Sequence, residues 1–104
     1  MDDTHRIVLT ADALADLRGI ASFIRGHSAQ NAAGVAETIL DAIDSLGSMP
    51  DRFKQVGKSR KRGTPVHSMV VRPFVIYYRV ERSPPVVYVL NIRHGRRQQP
   101  REFR

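Results

Sequence analysis

The spacing of apolar positions changes character along this chain. Residues 5–10, "HRIVLT", form a short β-rich run and predict a first strand. Thr10 then stands where a helix cap belongs, with Asp12 near the positive end of the helix it would open. Leu14, Leu17, Ala21 and Ile24 follow at spacings of three and four, which predicts a helix with one apolar face. Gly26 ends it, with Arg25 in the last turn. Ser28 or Asn31 opens a second helix, whose stripe is Val35, Ile39, Ile43 and Leu46, with Ala36 and Leu40 alongside. Gly47 and Pro50 stop it. The connection is short, so the helices must pack as an antiparallel hairpin. Ala32, Ala33, Gly34 and Ala36 are small enough for close approach. A glycine costs a helix interior about 1 kcal/mol, so close packing is the expected reason for Gly34.

Beyond Pro50 the period shortens to that of strands. Residues 51–65, "DRFKQVGKSRKRGTP", are polar, basic and glycine-containing and read as a loop. Three β-rich runs follow: Val66 to Val71, Phe74 to Val80 and Val86 to Ile92. Pro73 and the turn "ERSPP" separate them, and such short connections predict an antiparallel meander. The expected fold is therefore α+β: a two-layer β-α-α-β-β-β domain with the helical hairpin on one face of a mainly antiparallel sheet. Val75 and Tyr77 would point opposite to Phe74, Ile76 and Tyr78, so the second face is not simply polar.

Length sets the scale for this reading: 104 residues, 41% of them hydrophobic, predict a single domain over 1–104, with a short, flexible, basic C-terminal tail. The sequence has no cysteine, which excludes disulfides and thiolate metal sites. The start, "MDDTHR", is acidic and polar with no apolar run behind it, and nothing approaches the roughly 20 residues of a membrane span. A cytoplasmic protein without membrane contact is expected. His5, His27, His67 and His94 are scattered singly, and there is no phosphate-binding glycine motif, so no cofactor and no metal are predicted.

Charge sharpens the picture because it is segregated. Residues 1–50 carry three cations against seven anions, whereas residues 51–104 carry fourteen against three. A net charge of +7 distributed this way implies a positive surface suited to an acidic partner or a nucleic-acid backbone. The densest cluster follows the last strand: "NIRHGRRQQP" places Arg93, His94, Arg96 and Arg97 around Gly95. Cations that repel one another are costly unless something anionic sits among them. These four are the candidate target-binding residues.

The helix start "TADALADL", then "RPFVIYYRV", then a strand closing in "IRHGRRQQP", resemble in order and spacing the ParE/RelE superfamily of toxins from type II toxin–antitoxin systems. The resemblance runs from about His5 to Pro100 and is nearest the ParE, or plasmid-stabilisation, branch. It implies a toxin neutralised by a cognate antitoxin, ParD-like and of ribbon-helix-helix type, in a hetero-oligomeric complex, with DNA gyrase as target. The alternative it leaves open is the RelE type, a metal-independent endoribonuclease that cuts mRNA on the ribosome. Such an enzyme needs cations on the phosphate and an acid and a base, and the resemblance would assign these to Arg72, His94 and Arg96 or Arg97. RelE-like chains end in a tyrosine or histidine near the C-terminus. Here the tail is "QQPREFR", with Phe103 its one aromatic residue, which favours the ParE branch.

Overall fold

A computed structural model of the chain describes residues 4–26, 29–59 and 63–95. In chain order these form β1 (Arg6–Leu9), α1 (Ala11–Arg25), α2 (Ala29–Asp44), two single 3₁₀ turns (Ser45–Gly47 and Pro50–Arg52), β2 (Lys54–Lys58), β3 (Pro65–Val71), β4 (Phe74–Arg82) and β5 (Pro85–His94). The strands make one sheet in the order β1-β5-β4-β3-β2. β1 runs parallel to β5, while every other neighbouring pair is antiparallel. The expected α+β architecture of a helical hairpin on a mainly antiparallel sheet is the observed one.

One segment departs from expectation. The stretch read as a loop holds β2, which pairs antiparallel with β3. Its sequence, "KQVGK", has a single large apolar residue and a glycine, so alternation could not reveal it. It is an edge strand held by backbone bonds to β3, and its lysines discourage further pairing. The register shifts between Gln55 and Gly57, a bulge of the kind glycine tolerates.

The main core lies between the helices and the sheet. Ile39, Ile43 and Leu46 of the second helical region meet Phe74, Ile76, Tyr78, Val87, Val89 and Ile92. The stripe predicted for α2 thus packs as expected. That of α1 is rotated: Ala13, Leu17, Ile20 and Ile24 face the core, and Leu14 stays 36% exposed. Gly34 is also corrected. It is exposed, and a Cβ there would meet nothing within 4 Å, so close packing is not its reason. The opposite face of the sheet carries a second cluster, Val66, Tyr77 and Leu90, with Val56, Val75 and Tyr88 against it. Leu90 is the extra residue of a bulge, since Tyr77 pairs with Asn91 and Tyr78 with Val89. Among the described residues no helix is long and apolar enough to cross a membrane.

Tyr78 fixes the corner after α2. Its ring is fully buried and stacks on His67 at 5.4 Å, and its hydroxyl donates to the Pro50 carbonyl at 2.5 Å. Nearby, Nδ1 of His67 lies 2.9 Å from the Phe53 carbonyl, and Asp51 pairs with Arg82. Burial pushes the Tyr78 phenol well above its ordinary 10.0, against a smaller opposing pull from Arg52.

Two outcomes follow for stability. Gly34→Ala should raise stability by about 1 kcal/mol, since helix propensity improves and nothing clashes; a thermal melt measures this. Tyr78→Phe leaves the Pro50 carbonyl without its donor and should cost about 1 kcal/mol at neutral pH. The Tyr78 phenol also makes wild-type stability pH-dependent. The folded state holds the proton that the unfolded chain releases, so this contribution is complete below pH 10.0 and is lost as pH rises towards the folded pKa. Melts from pH 8 to 11 should therefore fall more steeply for the wild type than for Tyr78→Phe.

Candidate functional site

The candidate residues converge where β5 leaves the sheet. β5 is longer than its parallel neighbour: β1 pairs with Val86 to Val89 and stops, while β5 continues to His94. Thr10 makes the boundary. Its backbone N–H and its hydroxyl both donate to the Val89 carbonyl, at 3.1 and 2.8 Å, and the same hydroxyl oxygen accepts from Ala13 N at 3.2 Å, capping α1. The chain therefore turns from strand to helix beside the middle of β5, and α1 crosses the sheet near the strand's far end.

A cleft of about 770 Å³ opens between α1 and that end. Gly19, Ile20 and Phe23 of α1 form one wall; Phe74, Ile92 and His94 form the other. The lining is mostly apolar, and Phe23 stands 70% exposed at the rim. A Cβ on Gly19 would meet nothing within 4 Å, so this mid-helix glycine answers no packing need inside the chain and leaves the wall open. Asp16 supplies the polar contact of this wall. Its carboxylate accepts from the backbone N–H of Ile92 at 2.9 Å, tying α1 to the part of β5 that β1 does not reach.

Three of the sequence-derived residues lie at this end. His94 packs edge-on against Phe74, ring centroids 5.9 Å apart. Arg93 sits on the opposite face, in register with Val75, and its Nε is buried with no hydrogen-bond partner. Burial raises the neighbouring Tyr77 phenol, and the Arg93 guanidinium partly offsets this. Arg72 is exposed in the β3–β4 turn, which the hydrogen bond from Gly95 N to Pro73 O at 2.7 Å fastens to the end of β5. Arg96 and Arg97 lie outside the described residues, as does the basic tail.

Other cations are engaged within the chain. Arg79 pairs with Glu81 at 2.5 Å and lies over the Tyr88 ring at 4.2 Å, and Arg82 pairs with Asp51. Arg52 donates to the Ser45, Ser48 and Met49 carbonyls at the end of the second helical region. Arg93 makes no ion pair with a described residue. The Arg93 guanidinium is thus not neutralised by any described residue of the acidic helices. The sequence reading missed the wall of α1: Asp16, Gly19, Ile20 and Phe23. Its signal was present as a second stripe, beside the core-facing one, that contains an unexplained glycine and a phenylalanine off the core face.

A helical hairpin on a five-stranded mixed sheet, with an apolar cleft beside a basic strand end, makes a small two-layer α+β fold. A solved chain from the chromosomal ParDE toxin–antitoxin system of P. aeruginosa shares it, with a TM-score of 0.69 at 20% identity over 89% of this chain and 98% of that one. None of the curated proteins matches this sequence. The family model described as ParE toxin of type II toxin-antitoxin system, parDE, matches residues 7–99, and the chain belongs to that family. A toxin of this class implies a cognate antitoxin as partner.

Gly95 sets the geometry of the basic end by permitting close approach. A Cβ there would lie 3.1 Å from the Pro73 carbonyl oxygen, so the backbone of the turn would have to give way. Gly95→Ala should push the β3–β4 turn from β5 and cost about 1 kcal/mol, visible as a lower melting temperature and shifted amide resonances at Arg72 and His94.

Proposed function

We propose that this ParE toxin inhibits DNA gyrase in the cytoplasm, and that a ParD-like ribbon-helix-helix antitoxin neutralises it by laying a segment in the cleft between α1 and β5. The observation that carries the reading is the adjacency of two surfaces at one end of the sheet. An apolar cleft, with Phe23 exposed and Gly19 leaving room, suits a partner segment that folds on binding. Beside it, Arg93 and His94, continued in sequence by Arg96 and Arg97, suit an anionic surface on the target. A segment in the cleft would cover one surface and crowd the other, which gives neutralisation a physical form.

Arg93, His94, Arg96 and Arg97 are the residues proposed to meet the target. A charge-assisted arginine contact is worth about 1.5–3 kcal/mol when partly desolvated, so losing two weakens binding by a few orders of magnitude. Arg96→Ala combined with Arg97→Ala should abolish growth inhibition on induction while the toxin–antitoxin complex melts as before. Full toxicity in that folded double variant would show the cluster to be a solvated end.

Pulse-labelling after induction tests the target. DNA synthesis should stop first and cells should filament while protein synthesis continues. Early collapse of translation, with mRNA ends mapping to cuts inside ribosomes, would overturn the gyrase reading and favour the RelE-type alternative, with Arg72, His94 and Arg96 as its catalytic candidates.

A further inference from the structure

The cleft has a floor as well as walls, and the floor is a strand edge. Beyond Val89 no described strand lies beside β5 on the side of β1. Thr10 takes the Val89 and Leu90 carbonyls with its side chain, at 2.8 and 3.2 Å. Asp16 takes the Ile92 N–H. Side chains of α1 and its cap thus stand in, one group at a time, for a missing strand. An edge occupied in this way is protected from casual pairing, yet at Ile92 the covering group is a single side chain, Asp16, that can rotate away.

We propose that the antitoxin segment adds to this edge as a short strand beside Ile92, and that Asp16 is the guard it displaces. This rests on the reading that the cleft is the antitoxin's. The alternation of β5 fixes the segment's chemistry. Ile92 and His94 face the helices with Phe74, whereas Arg93 faces the other side with Val75. A strand paired here would turn alternate side chains into the cleft, against Ile20 and Phe74, and the intervening ones towards Arg93. The fitting segment is therefore extended, apolar at every second position and acidic between. The stretch of β5 that no described strand pairs on this side runs from Leu90 to His94, enough for two or three backbone pairings. An acidic segment would also repel the Asp16 carboxylate, adding to the drive that moves it from Ile92.

Displacement has a sign that simple contact loss does not. In the free toxin, Asp16→Ala leaves the Ile92 N–H without its acceptor, so its amide exchange with solvent should accelerate. Binding no longer has to remove a competing acceptor or approach a like charge, so the variant should hold the antitoxin more tightly, by up to about tenfold. Asp16→Asn keeps an acceptor but loses the charge and should fall between. This variant also guards against failure of the alanine form to fold.

The experiment uses isotopically labelled full-length toxin, free and co-purified with the antitoxin encoded beside it, in wild-type, Asp16→Asn and Asp16→Ala forms. Resonances of Gly19, Ile20 and Phe74 report occupation of the cleft. The Ile92 amide reports pairing, and calorimetry reports affinity. The expected result is occupation in all three forms, an Ile92 amide protected in the complex even with Asp16→Ala, and affinity rising from wild type to alanine. Occupation with an unprotected Ile92 amide in the alanine complex would mean a helix or irregular segment fills the cleft, and the strand proposal fails while the docking reading survives. A weaker complex with Asp16→Ala would show that Asp16 binds the antitoxin rather than yielding to it. No change at Gly19, Ile20 or Phe74 would overturn both.

Discussion

The Thr10 hydroxyl sets the geometry on which the rest of this structure depends. It donates to the carbonyls of Val89 and Leu90 in β5 and accepts from Ala13 N in α1. A strand partner and a helix cap are ordinarily separate devices. Here one atom does both, so the first strand cannot lengthen without unmaking the cap. β1 is held to four residues, and β5 must run on without it. The uncovered half of β5, the helix that overhangs it and the cleft between them follow from that short β1.

What gathers at the end of β5 is a consequence of the same geometry. The β4–β5 ladder runs from Arg82↔Pro85 to Phe74↔His94, which brings the β3–β4 turn and its Arg72 to the place where Arg93 and His94 emerge. The Gly95–Pro73 hydrogen bond closes the junction. The chain's acidic residues concentrate in its first half, yet Asp16 reaches this end to bond backbone rather than an arginine. The basic strand end therefore adjoins the apolar cleft. The proposed neutralisation needs contact alone, with no rearrangement of the fold.

Much of this was legible in the sequence, for identifiable reasons. Thr10 as cap, the α2 stripe and the three apolar strands carry strong local signals, and β5 is apolar enough to announce a central strand. β2 was not legible, because an edge strand of "KQVGK" is defined by what it pairs with. The rotation of α1 was missed because Leu14 and Ala13 are both plausible core residues, and packing against β5 decides between them. Gly34 misled because a glycine in a helix suggests contact, whereas here the surrounding space is empty. The basic cluster was legible as composition, but the cleft beside it was not. Asp16 meets Ile92 across 76 positions of chain, and no local pattern encodes that encounter.

One end of this sheet is proposed both to poison the target and to receive the antitoxin. A supercoiling assay with purified gyrase and relaxed plasmid tests it most directly, adding the toxin alone and then the toxin with its antitoxin. Toxin alone should block supercoiling, and the antitoxin should restore it at the stoichiometry of the complex. Undiminished supercoiling with the folded toxin in large excess would contradict the account.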